Sequence, residues 1–419
     1  MFNDEQILLQ AEIVAIGNEI ISGLIQDTNG RYLSKQLHLL GINVLRITAV
    51  GDDKESISRL VGDALGRVNI VIITGGLGST HDDITKGVLA KVFNSKMIID
   101  NQVMSMLEVN FKKRGQDIPA KVRSQYEVPE EATILYNEKG TAPGFLFERD
   151  GKKLFSLPGV PLEMEHLFDK YIRPDLKKLQ KGVIGHRVIK TVGLTEASLW
   201  EKFGPVEPLE RLATVASLPS YLEMKVRLSC YSKSSEEVEI RLGEAEDMVM
   251  TSLGEWVYGK DNETLEGKVG ELFLEKNKTL AVAESCTGGL IGHRLTQTPG
   301  SSDYFLEGVV AYSNEAKNSR LEVSPTLIRK YGAVSEEVAL AMADGIRKTS
   351  GADIGLSVTG VAGPDASNNK PVGTVFIAIS DKEKSDCKCF RFYSDRSRNK
   401  ERSAQAGLDL LRRWFRNLT

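Results

Sequence analysis

Two turns in this chain carry side chains that could do chemistry. In one, the apolar run Thr279-Leu280-Ala281-Val282-Ala283 stops at Glu284-Ser285-Cys286-Thr287 and passes through Gly288 and Gly289 into an amphipathic LIGHRL segment. A strand ending this way lifts a hydroxyl to the carboxyl edge of a sheet, and the following helix points its first N–H groups at whatever binds there. Such a turn can serve a nucleophile or an oxyanion. Cys286 is the rival nucleophile, being intrinsically more reactive than a hydroxyl. Neighbouring positions face apart, however, and a small cysteine packs well at a strand end.

The other turn is Ile73-Thr74-Gly75-Gly76-Leu77-Gly78-Ser79-Thr80-His81-Asp82-Asp83-Ile84-Thr85, again between a buried strand and a helix. Gly75, Gly76 and Gly78 let backbone approach a phosphate closely, and the N–H groups of such a nest are its donors. Two carboxylates aimed at a diphosphate make chemical sense chiefly with a divalent cation between them. The simpler alternative is a tight turn with an aspartate N-cap.

These turns need elements to hold them. Strand signals at 12–16, 43–50 and 69–74 alternate with helical ones at 29–40 and 54–66, which predicts a mostly parallel sheet covered on both faces. Residues 141–162 are rich in Gly, Pro and aromatics. From about 180 to 258, helices at 196–203 and 235–253 and a strand at 223–230 predict a small α+β module without a site. Asp261 to Thr264 cap a helix that opens a third region. There, strands at 279–283, 307–312, 353–359 and 372–380 and helices at 335–349 and 395–416 restore the α/β pattern. The fold class is therefore α/β: two such domains, 1–172 and 262–419, joined by a small α+β domain at 173–261.

At 419 residues, with 41% hydrophobic and 26% charged residues and a net charge of −3, the composition is that of a globular protein with ample core. Its acidity predicts no direct nucleic-acid partner. No apolar run reaches the roughly 18 residues of a membrane span, and Asp4, Glu5 and Glu12 stand where a signal peptide would be basic. The four cysteines lack zinc-site spacing. The expectation is a cytoplasmic protein.

Four stretches of the first region, IGNEI (16–20), TGGLGSTHDDIT (74–85), Asn137-x-x-Gly140-Thr141-Ala142-Pro143-Gly144 and LPGVPLEM (157–164), resemble the molybdopterin-binding-like domain of the CinA competence/damage-inducible family. Ser79 departs from the family's usual proline, which frees one φ angle without removing a charge or donor. The resemblance implies ADP-ribose pyrophosphatase activity, with Asp82, Asp83 and Glu19 around a divalent cation (Mg, Mn or Co). Asn137, Gly140, Pro143 and Gly144 would line the nucleotide pocket. His81 adjoins the acids as a weaker candidate base.

The last region is similar to the CinA C-terminal domain, the PncC-type nicotinamide-nucleotide amidase, through AESCTGG, YSNEAK, SVTGVAGPD and PVGTV. This implies hydrolysis of nicotinamide mononucleotide to nicotinic acid mononucleotide and ammonia, with no cofactor. Spacing alone does not bring Ser285 and Lys317 together; the resemblance does. His293 carries no surrounding motif and reads as a surface residue, so Ser285 needs another base, and a desolvated Lys317 can be it. Tyr312 would steady the proton. Thr359 and N–H groups near Ser285 and Gly360 would meet the oxyanion. Asn314 would contact substrate, and Arg396 with the helix start at Thr287, Gly288 and Gly289 would hold its phosphate. Family likeness also implies a homodimer. Two other functions compete: an N-terminal pterin or nucleotide binder without hydrolysis, and an interaction factor in competence or DNA repair.

Overall fold

The computed structural model describes residues 9–113, 115–179, 182–366 and 370–415. Asp4, Glu5 and the final position of the expected 395–416 helix lie outside the described residues. The chain divides into two compact units, residues 1–185 with 231–239 and residues 186–230 with 240–419.

In the first unit, β1 (Gln10–Ile16), β2 (Asn43–Val50) and β3 (Ile70–Thr74) are followed by a detached antiparallel pair, β4 (Met97–Ile99) and β5 (Glu127–Pro129). Then come β6 (Thr133–Leu135), β7 (Gly144–Arg149) and β8 (Lys152–Leu157). The main sheet runs β2-β1-β3-β8-β7-β6. Its first four strands are parallel, and β7 and β6 join them antiparallel. β3 is buried along its whole length because helices cover both sides of it. Val71 and Ile73 pack with Val14 and Ile16 on one face, and Ile70 and Ile72 with Ala11 and Ile13 on the other. Burying each such aliphatic side chain contributes roughly 1.5–3 kcal/mol.

The middle segment is an antiparallel sheet, β10-β11-β9-β12, of β9 (Val183–Thr191), β10 (Thr214–Pro219), β11 (Met224–Ser232) and β12 (Val257–Lys260). Helices Glu196–Phe203 and Ser235–Leu253 accompany it.

The last sheet runs β14-β13-β15-β16-β17, with β13 (Leu280–Glu284), β14 (Phe305–Val310), β15 (Ile354–Gly360), β16 (Thr374–Ser380) and β17 (Ser385–Arg391). β14, β13 and β15 are parallel; β16 and β17 extend them antiparallel. β13 is sandwiched: Leu280 and Val282 face the Arg396–Trp414 helix through Leu408 and Leu411, while Ala281 and Ala283 meet Leu321 and Met342. No helix among the described residues is long and apolar enough to cross a membrane.

Candidate functional site

Where β13 ends, the Ser285 N–H still bonds to the Val358 carbonyl of β15 at 2.9 Å, so the sheet itself fixes the start of the turn. Ser285 then lies on the side of the sheet that carries the Asn314–Leu321 helix, whose N-cap Ser313 accepts from the Ala316 N–H at 3.1 Å. One turn along, Lys317 reaches back. Its Nζ stands 3.0 Å from the Ser285 Oγ and 2.9 Å from the Ala311 carbonyl. Ser285 and Lys317 are only 8% and 2% exposed. Burial holds the Lys317 amine below its ordinary pKa, because an ammonium loses hydration there. A neutral amine so placed donates to Ala311 and accepts the Ser285 proton. Cys286 points the other way, into the cluster of Val282, Ile291 and Val358, and burial pushes its thiol up to about 12. It therefore lacks the thiolate a sulfur nucleophile requires.

Glu284 corrects the expected phosphate seat. Its buried carboxylate accepts from the Gly289, Ile291 and Gly292 N–H groups at 2.9, 3.2 and 2.9 Å. The start of the Leu290–Thr296 helix is thus occupied by the chain's own anion, and Thr287, Gly288 and Gly289 do not offer it to a ligand. Gly288 and Gly289 both have positive φ, 64° and 91°, which a side chain would strain, and this lets the chain fold back over Glu284. The Cys286 and Thr287 N–H groups, which directly follow Ser285, bond no other described residue, and this leaves them as donors beside the Ser285 turn. The Thr287 hydroxyl is buried without a hydrogen-bond partner among the described residues. Glu284→Gln leaves one acceptor oxygen for three N–H groups, so thermal denaturation should show a loss of about 1–3 kcal/mol. The turn holding Ser285 loosens with it.

The remaining predicted residues are placed differently from one another. The Tyr312 side chain is exposed, and its hydroxyl accepts from the Arg396 guanidinium at 2.8 Å instead of joining the Ser285–Lys317 pair. Arg396 also donates to the Gly363 carbonyl. The Thr359 hydroxyl donates to the Ala333 carbonyl at 2.8 Å, so its proton is already committed and it anchors β15 instead of meeting an oxyanion. Gly360 ends β15, where a side chain would collide with Val375 and the Thr374 carbonyl; its role is close packing. Asn314 is exposed at the first turn of its helix, and His293 is exposed as expected. Sequence reasoning missed Lys400. Its Nζ lies 3.5 Å from where a Gly288 side chain would begin, one helical turn beyond Arg396. The i, i+4 spacing was the available signal.

In the first unit, the ends of β1, β3 and β8 open a pocket of about 480 Å³ lined by Gly75, Gly76 and Gly78. At Gly75, φ is 109° and any Cβ would strike the Ile16 carbonyl, so the close strand-to-strand approach requires glycine. The pocket is lined by the carboxylates of Glu19, Asp27, Asp52, Asp82, Asp83 and Glu163 and, among the described residues, by no Lys or Arg. Most are engaged internally. Asp83 accepts from the Gly78 and Thr80 N–H groups at 2.8 and 2.7 Å and from the Thr80 hydroxyl, so it staples the loop instead of facing a ligand. Asp27 caps a helix through the Gly30 N–H, and Asp52 accepts from the Asn18 N–H.

Asn137 is the staple of its own loop, bonding Ala142, Glu163, Lys139 and Gly140. With Gly140 and Pro143 it lines a separate small crevice, while Gly144 packs inside the sheet. Thr141 and Ala142 reach the main pocket in their stead. His81 is almost fully exposed, 3.9 Å from Asp82. Among the described residues no group of three His, Cys, Asp or Glu converges as a metal cage, so Asp82, Asp83 and Glu19 do not form one. The Glu19 carboxylate accepts no hydrogen bond from another described residue, and Asp82 is exposed, with the Thr80 hydroxyl and its own backbone N–H holding its carboxyl below the usual range, so these two are the pocket's least committed acids. Two carboxylates with ligand phosphates are the usual way a Mg-type cation is held, and a diphosphate entering this acidic pocket needs such a cation.

The fold and its sites define an α/β protein with an acidic N-terminal pocket and a buried serine–lysine pair in its C-terminal region. Residues 262–415 match the CinA C-terminal domain, residues 12–178 the family described as "Probable molybdopterin binding domain", and residues 186–259 the damage-inducible protein CinA KH domain. A competence-damage inducible protein of Caldicellulosiruptor saccharolyticus is 42% identical over 98% of this chain and 100% of its own length. A CinA-like protein of Kosmotoga olearia is 39% identical over 97% and 98%. A solved CinA structure from Thermoplasma acidophilum aligns with 40% of this chain and 98% of its own, at 34% identity and a TM-score of 0.38. The chain belongs to the CinA family of competence/damage-inducible proteins.

Proposed function

We propose that the C-terminal region hydrolyses the carboxamide of nicotinamide mononucleotide, releasing ammonia and nicotinic acid mononucleotide. The observation that carries this reading is the 3.0 Å approach of the Lys317 Nζ to the Ser285 Oγ in a buried setting. Neutral Lys317 takes the Ser285 proton as Oγ attacks the carboxamide carbon, and the Cys286 and Thr287 N–H groups stabilise the oxyanion. The C–N bond breaks, the Lys317 proton leaves with ammonia, and an ester to Ser285 remains. Water, deprotonated by the same amine, hydrolyses the ester and frees the acid. Arg396 and Lys400 supply cations for the nucleotide phosphate. The test is ammonia release from nicotinamide mononucleotide by the full chain, with Ser285→Ala as control; no release above that control would reject the reading.

For the N-terminal pocket, the same proposal extends to binding and hydrolysis of ADP-ribose with a divalent cation held by Glu19 and Asp82. Such a cation, when bound, neutralises diphosphate charge. Calorimetric binding of ADP-ribose is expected only with divalent cation present, and Asp82→Asn should weaken it by about tenfold or more. Asp83→Asn should instead lower thermal stability, because it cuts the loop's internal staple. Cation-independent binding would overturn the assignment.

The KH match favours a nucleic-acid role at first sight. KH domains, however, clamp nucleic acid through a G-x-x-G loop. Residues 186–259 contain no such tetrad, and the turn from β9 into the next helix reads Gly193-Leu194-Thr195-Glu196, ending in an acid.

A further inference from the structure

A cavity of about 500 Å³ lies between the β10–β11 turn, the Gly193–Glu196 turn, β17 and the Arg396–Trp414 helix, away from Ser285 and Lys317. That volume suits a nucleotide-sized ligand. One wall is aromatic: the Phe390 and Phe392 rings lie nearly parallel at 11°, their centroids 5.7 Å apart, and both are only half-buried. Gln405 lines the same cavity at 5% exposure, and its amide has no hydrogen-bond partner among the described residues. Its polar atoms are not sealed from solvent, so the amide edge faces the open cavity with its donors and acceptor free to pair with a ligand. Arg402, one turn earlier on the helix, gives its Nε to the Tyr221 carbonyl at 3.2 Å, and neither terminal nitrogen bonds another described residue. The lining acids are already engaged. Glu196 takes the Ser217 hydroxyl, Glu223 takes Tyr258 and Lys225, and Asp409 is paired with Arg412 and Arg413. What the cavity offers a ligand is thus an aromatic face, an amide edge and a guanidinium.

We propose that this cavity is a nucleotide-binding site separate from the serine–lysine site. A planar nucleobase stacks on Phe390 and Phe392, its polar edge pairs with Gln405, and its anionic group meets Arg402. Backbone hydrogen exchange of the full chain, with AMP, GMP, CMP or UMP at about 5 mM, is the test. At least one nucleotide should slow exchange in 192–196, 219–224 and 390–392. Gln405→Leu should abolish that protection or weaken it about tenfold, while melting at an unchanged or higher temperature and leaving ammonia release intact, because it removes only an unpaired amide. Arg402→Gln should erase any preference for AMP over adenosine. Absence of protection with all four nucleotides, protection confined to the Ser285 turn or the 75–83 loop, or full-strength binding by Gln405→Leu would overturn the proposal.

Discussion

Replacing Ser285 with alanine is expected to cut ammonia release from nicotinamide mononucleotide by about a thousandfold or more, whereas Cys286→Ala should keep it within about threefold. The two residues are adjacent in sequence, yet the sheet sends them to opposite faces. Ser285 meets an amine at 3.0 Å, while Cys286 is buried among Val282, Ile291 and Val358. A thiol held near 12 is protonated at neutral pH and cannot act as the nucleophile. Removing the hydroxyl leaves Lys317 with nothing to deprotonate, and the residual rate would come from substrate binding and the oxyanion donors alone. Steady-state kinetics on both variants, with melting temperatures as a folding control, decides it. Retained turnover in Ser285→Ala would transfer the role elsewhere.

How much of this was legible beforehand varies by feature, for physical reasons. The fully apolar β3 and the abrupt end of β13 are visible in one dimension because burial on both faces leaves only apolar residues in a strand. The pair β7–β8 was equally available and was missed. Asp150 and Gly151, with φ of 53° and 72°, form the two-residue turn that Asp-Gly typically makes, yet the aromatic character of 141–162 masked the alternation. β17 was missed because most of its positions are exposed and its seven residues mix three charges with only one large apolar side chain. Within the sites, the Ser285–Lys317 approach lies beyond any spacing argument; it depends on β13 and β14 being parallel neighbours whose following segments emerge at the same edge. The errors over Asp83, Asn137 and the phosphate seat at Thr287–Gly289, which Glu284 fills, share one cause. At each place a polar side chain in a ligand-like loop bonds its own surroundings first: Asp83 and Glu284 accept from their loops' N–H groups, and Asn137 accepts from the Lys139 and Gly140 N–H groups while donating to the Ala142 carbonyl and Glu163. Sequence shows which residues can bond, but not whether the chain itself uses those bonds first.

Lys317→Met should abolish turnover as completely as Ser285→Ala while melting at the wild-type temperature or above it. Lysine here is an expensive residue for the fold. Its amine is buried with two polar contacts, and methionine matches the stem without the charge. The pH dependence gives an independent reading with a definite sign. Burial lowers the folded-state pKa of Lys317 beneath 10.5, so between that value and 10.5 the folded protein has released a proton that the unfolded chain still holds. Stability attributable to this residue therefore increases as pH rises through that window, and the burial penalty is felt in full below it. Lys317→Met should lack that increase when wild type and variant are unfolded by denaturant across the range. Turnover by the wild-type protein should rise with pH over the lower flank of the same titration, as the neutral amine that accepts the Ser285 proton becomes populated. A wild-type rate that falls as this amine deprotonates would show the ammonium, not the amine, to be the working form, and the serine–lysine mechanism would fail on that result alone.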